Sequence, residues 1–80
     1  MAHTILRLPA VIAGSGLSRS TIYRFVGLGL WTKPIPLGFR AVGWPAHELD
    51  ALNTARTAGK SNDEVRALVA SLEAARRDAA

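Results

Sequence analysis

Apolar positions along the chain fall into helix-spaced clusters, interrupted once by a stretch that cannot be helical. Leu8, Val11 and Ile12 share one helical face, and Pro9 suits a first helical position, where its missing N–H leaves no bond unmade. This short helix is expected over residues 9–13, stopped by Gly14-Ser15-Gly16, with Leu17 anchoring the turn. Ser18 then offers its hydroxyl as an N-cap to the amides that follow. In the helix it opens, Ile22, Phe25 and Val26 cluster on one side. Ser20, Tyr23, Arg24 and Gly27 fall on the other, with Arg19 in the first turn and Gly29 as terminator.

From Trp31 the helical spacing fails. Lys33-Pro34-Ile35-Pro36-Leu37 carries two prolines, which remove donors and push their predecessors towards extended geometry. Gly38-Phe39-Arg40 reads as a hairpin tip and Ala41-Val42-Gly43-Trp44 as the returning strand of a small two-stranded ribbon. Ile5 to Leu8 reads as a short extended lead-in. Pro45 restarts a helix, with Glu48 and Asp50 where the macrodipole favours acids, Leu49 and Leu52 spaced i and i+3, and Gly59 at its end. Ser61-Asn62-Asp63-Glu64 is a capping box that opens a last helix, whose apolar stripe is Val65, Leu68, Val69 and Leu72.

The fold class expected is therefore mainly α with a small two-stranded β-hairpin: a winged helix-turn-helix plus a C-terminal helix. Residues 1–59 are assigned to the winged domain and 60–80 to a helical extension, with a hinge at Thr57 to Ser61. A lone helix of that length is marginal in water, so its stripe needs a partner surface. Val65, Leu68, Val69 and Leu72 either fold onto their own domain or, the favoured expectation, contact another protein.

Eighty residues make one small domain, and the absence of cysteine excludes disulfides and thiolate metal sites. Charge sharpens the picture. Residues 1–60 hold seven Lys/Arg against Glu48 and Asp50, whereas residues 61–80 hold three Arg against four acids. The positive field belongs to the winged part, and a basic face on a small domain points to a polyanion, nucleic acid first. No acid precedes Glu48, as suits a surface that must approach phosphate.

Arg reads guanine bidentately, and Ser, Thr and Tyr bond phosphates or base edges. The DNA-binding candidates are accordingly Ser18, Arg19, Ser20, Thr21, Tyr23 and Arg24 on the second helix, with Lys33 and Arg40 on the wing. Arg40 at the hairpin tip suits a narrow minor groove or a phosphate. Trp31 and Trp44 are assigned to the core. No catalytic constellation is present: His3 and His47 stand apart, and adjacent His47 and Glu48 diverge by about 100° on a helix. There is no phosphate-binding glycine loop. The expectation is a protein that is not an enzyme, with no cofactor and no metal. Residues 25–31, the longest apolar run, are too few to span a bilayer, and a cytoplasmic location is expected.

Four motifs in order then carry a resemblance: I-L-R-L-P-A-V-I-A (Ile5 to Ala13), G-L-S-R-S-T-I-Y-R (Gly16 to Arg24), K-P-I-P-L-G (Lys33 to Gly38) and R-A-V-G-W (Arg40 to Trp44). Together they resemble the AlpA family of phage and mobile-element regulators over roughly residues 4–56. The chain departs from the usual pattern at Gly14-Ser15, where a basic residue and Thr are more frequent, in the apolar run Gly27 to Trp31, and at Leu52, where Trp is common.

The resemblance implies a winged helix-turn-helix similar to excisionases and to the DNA-binding domain of MerR proteins. It implies double-stranded DNA as partner, read through Ser18, Arg19, Ser20, Thr21, Tyr23, Arg24 and Arg40. Two activities follow from it. One is a recombination directionality factor that binds neighbouring sites, bends DNA and promotes excision by an integrase. The other is transcriptional control of a mobile element. Self-association on tandem sites, an integrase partner and a place at the bacterial nucleoid belong to the same implication. The alternative from another class is a protein-interaction adaptor for an integrase or polymerase.

Overall fold

In the computed structural model, residues 4–78 are described, and His3 lies outside them. The elements in order are β1 (Ile5–Arg7), α1 (Leu8–Ser15), α2 (Arg19–Leu28), β2 (Ile35–Gly38), β3 (Ala41–Pro45), α3 (Ala46–Thr57) and α4 (Asn62–Asp78). Their boundaries follow from local chemistry. Gly14 and Ser15 lie inside α1, and the stop is Gly16, at φ 73°, whose N–H bonds the Ile12 carbonyl at 3.0 Å. Gly14 is needed for another reason. A Cβ there would stand 2.8 Å from Leu49 Cδ2, so the missing side chain lets α1 lie close against α3.

The helix-turn-helix is closed at both ends as its sequence indicates. Ser18 Oγ accepts the Thr21 N–H at 3.2 Å and donates to Thr21 Oγ1 at 2.9 Å. At the far end Gly29 adopts φ 76°, its N–H bonding Val26 O at 3.2 Å while Leu30 N–H bonds Phe25 O at 2.8 Å. This paired pattern satisfies carbonyls that the helix itself leaves open.

The wing is larger than the pattern of prolines indicates. The β2–β3 hairpin is present, but β1 joins it to give an antiparallel sheet in the order β1-β3-β2. Ile5 lies opposite Pro45, Leu6 opposite Trp44 and Arg7 opposite Gly43, and Ala46 N–H bonds Thr4 O at 2.8 Å. Gly43 makes the third strand fit. A Cβ on it would lie 2.7 Å from Ile5 Cγ2 and 2.9 Å from both Leu37 Cδ1 and the Leu6 carbonyl oxygen. Pro36 sits on the outer strand β2, where a missing donor costs no ladder bond, beside an irregularity in register between Pro36 and Gly38.

Val11, Ile22, Trp31, Trp44, Leu49, Leu52, Ala55, Val65 and Val69 form the buried core. Both tryptophans are interior, and Trp44 Nε1 donates to the Thr32 carbonyl at 2.8 Å, tying the wing to the loop after α2. Leu52 is fully buried.

The larger correction concerns α4. Its stripe, expected to meet another protein, is used within the chain: Val65 and Val69 are buried, and Leu68 and Leu72 pack against the same core. The segment before it is a tight turn rather than a hinge. Gly59 takes φ 73°, Lys60 N–H bonds Ala55 O at 3.1 Å, and Ser61 and Glu64 close the capping box reciprocally at 3.1 and 3.2 Å.

Polar ties then lock α4 in place. Arg76 grips Glu48, which is fully buried, through two bonds of 2.7 and 2.6 Å. Arg66 Nε donates to the Leu28 carbonyl at 3.0 Å, and the Lys33 amide donates to Glu73 Oε2 at 2.8 Å. Four apolar side chains and three polar ties hold α4 against the rest of the fold. The sequence pattern could not decide this, because an apolar stripe looks alike whether it meets its own chain or another.

Candidate nucleic-acid interface

The outward face of α2 follows from its caps and from Ile22. With Ile22 buried and Phe25 and Val26 turned inward, Ser20 and Arg24 are left exposed on the opposite side. Arg24 makes no hydrogen bond or ion pair among the described residues, so its guanidinium has its full donor set open. Gly27 continues this face, and a Cβ on it would meet nothing within 4 Å.

One flank of α2 forms a cleft with the wing, lined by Arg7, Leu8, Pro9, Arg19, Tyr23, Arg40 and Val42. Tyr23 is its centre. Its ring packs edge-on against Trp44, with centroids 6.3 Å apart, and the Arg19 guanidinium lies 5.9 Å from its centroid. The Trp44 contact fixes the wing relative to α2, and the Arg19 contact is a modest cation–π attraction at an exposed site. Three arginines thus share the lining of one cleft with Tyr23. The carboxylates of the winged part are elsewhere: Glu48 is buried against Arg76, and Asp50 is on α3.

The sequence candidates separate on this geometry. Arg19, Tyr23 and Arg40 come together in the cleft, and Ser20 and Arg24 occupy the adjoining face of α2. Ser18 and Thr21 are engaged with each other through the N-cap, so their first role is to start the helix. Lys33 is exposed but does not line the cleft; its amide is held by Glu73, which puts a carboxylate near the root of the wing.

Arg7 is the residue that sequence reasoning missed. It belongs to the acid-free stretch, but only the pairing of β1 with β3 carries it to Arg40 and Tyr23. The wing tip is conformationally marked: Arg40 has φ 59°, a value uncommon for a residue with a side chain. Among the described residues no group of three His, Cys, Asp or Glu gathers that would hold a metal, and no helix is long and apolar enough to cross a membrane.

The sequence matches the family model described as "Prophage CP4-57 regulatory protein (AlpA)" over residues 4–55, from β1 to α3. The chain belongs to the AlpA family. A relative in Enterobacteria phage P4, described as "Uncharacterized protein ORF88", is 40% identical over 55 residues, covering 69% of this chain and 62% of the relative. The match therefore spans less than two thirds of that phage protein. No solved structure matched. The family region holds the whole cleft, including Arg7, Arg19, Tyr23 and Arg40, whereas α4 lies beyond it.

Proposed function

We propose that this AlpA-family protein is a sequence-specific binder of double-stranded DNA, acting as a recombination directionality factor, as a transcriptional regulator of a mobile element, or as both. The observation that carries this reading is the cleft between α2 and the wing, lined by Arg7, Arg19, Arg40 and Tyr23 with no carboxylate among its lining residues. On this reading α2 lies in a major groove with Ser20 and Arg24 towards base edges. Arg24 supplies a bidentate fork for guanine, and the Arg7–Arg19–Arg40 group clamps the phosphates beside it. The wing reaches the neighbouring minor groove through Arg40.

A protein-adaptor role has less to stand on. It would leave the acid-free cleft without a use, and the α4 stripe is occupied by the chain's own core.

Footprinting on an element's attachment site and its nearby promoters tests the proposal. Protection along the attachment-site arms supports excision, protection of promoters alone supports transcriptional control, and a run of adjacent protected sites indicates assembly of several copies. Arg24→Ala is expected to weaken binding by about 1–3 kcal/mol at one base-pair position and to leave the others unchanged. Duplex affinity indifferent to both Arg24→Ala and Arg40→Ala would end the DNA reading.

A further inference from the structure

The wing tip carries a residue that the cleft does not absorb. Phe39 is 92% exposed, in a two-residue turn between Gly38 and Ala41, which pair across the hairpin. Such turns favour Asn, Asp and Gly, because those residues tolerate the backbone the turn demands. Here the two places hold Phe and Arg, with Gly38 at φ 130° before them and Arg40 itself at φ 59°. An aromatic ring left in water forgoes its burial, and a left-handed arginine is strained. Beyond the Arg40 guanidinium over its ring, Phe39 stays almost wholly exposed among the described residues. Local rules broken without internal compensation are expected where a surface acts on something outside the fold.

What that something is follows from the neighbours. The Arg40 guanidinium stands 5.4 Å from the Phe39 ring centroid, and Arg40 also lines the cleft with Arg7, Arg19 and Tyr23. Phe39 is therefore an apolar wedge with a cation at its side, at the end of the basic face. A protein socket for an exposed Phe would not call for a guanidinium beside it and two more in the cleft that Arg40 lines. A duplex does. The minor groove, about 6 Å wide, admits a narrow tip, and apolar side chains that enter it unstack a base step and kink the helix towards the major groove.

We infer that Phe39 is such a wedge: its ring enters a base-pair step on the minor-groove side while Arg40 holds the groove wall. The step it selects is pyrimidine–purine, where unstacking costs least. This rests on the DNA-binding reading, and it assigns the bending of DNA to one side chain.

The test uses the full chain and a footprinted duplex labelled at both ends for energy transfer, with 2-aminopurine placed in turn at the steps facing the wing. Wild type is expected to shorten the end-to-end distance and to brighten the probe at one step. Phe39→Ala is expected to lose both signals while affinity falls by less than about tenfold, because the duplex is then no longer deformed at a cost. Phe39→Leu is expected to restore part of each.

A Phe39→Ala complex as bent and as bright as wild type overturns the wedge and leaves the DNA reading standing. Loss of binding to a purified integrase or polymerase, with bending unchanged, overturns it in favour of a protein socket. If wild type binds no duplex, the DNA reading fails, and the wedge with it.

Discussion

Arg76, near the end of α4, holds the buried carboxylate of Glu48, in the first turn of α3, by a two-pronged grip of 2.7 and 2.6 Å. Glu48 has no exposed surface, so Arg76 is what makes its charge tolerable inside the fold. Removing one member of a buried pair strands the other, at a cost of about 3–5 kcal/mol. Arg76→Leu is expected to lose about that much in urea unfolding, whereas the double variant Glu48→Leu/Arg76→Leu loses clearly less. Equal losses for single and double variants would show that the site lost packing rather than a charge partner.

Removal of α4 has a related outcome. Truncation after Gly59 uncovers the core where Val65 and Val69 sat and frees Glu48, the Leu28 carbonyl and the Lys33 amide from their partners. The truncated chain is expected to lose its cooperative thermal transition, as read by circular dichroism at the helix band. A sharp transition within a few degrees of wild type would make residues 4–59 a self-sufficient domain.

The strain at Arg40 separates stability from binding. Glycine reaches φ 59° without penalty, so Arg40→Gly is expected to raise stability by about 1 kcal/mol. The same change deletes a guanidinium from the cleft. It is expected to weaken duplex binding and to lower the slope of log affinity against log salt by about one unit if Arg40 holds a phosphate. Thermal melts and fluorescence anisotropy across a salt series read the two effects independently. A variant that binds as wild type would remove Arg40 from the interface.

The capping box at the start of α4 carries a pH signature. The Ser61 amide and hydroxyl, with Lys60 nearby, hold the Glu64 carboxyl below the ordinary glutamate range. A carboxyl lowered by folding stabilises the fold above its unfolded value, and that contribution disappears as pH falls through the folded value. The stability gap between wild type and Glu64→Ala is therefore expected to be constant near neutrality and to close in acid. A gap that persists below the carboxylate range would mean that the ionised carboxylate is not what the substitution removes.

How much of this was legible depended on whether the signal was local. Ser18, Gly29, Gly59 and the Ser61–Glu64 box announce helix ends by chemistry within a few residues, and all four occupy those positions. The prolines at 34 and 36 likewise mark the wing. Pairings between distant segments left no such trace. Ile5–Arg7 is too short for an alternation to show, so the third strand, and with it the place of Arg7, required the Gly43 gap to be seen in space. Glu48 reads as a helix-start acid, and nothing near it in sequence indicates Arg76. On the site itself, the split of α2 into buried and exposed faces was visible. That Lys33 stands away from the cleft was not.

The ties of α4 also bear on how such a protein can be rebuilt. The match to the family model ends at residue 55, yet the groups that steady α2, the root of the wing and Glu48 lie at positions 66, 73 and 76. The matched stretch and the set of residues that pack together do not coincide. A chimera that transplants only the shared stretch would carry every cleft side chain into its host and leave behind the brace that sets the angle between them. On the DNA-binding reading, exchange of specificity between relatives is expected to succeed by changing single side chains on α2 within the whole chain, and to fail by swapping the matched stretch.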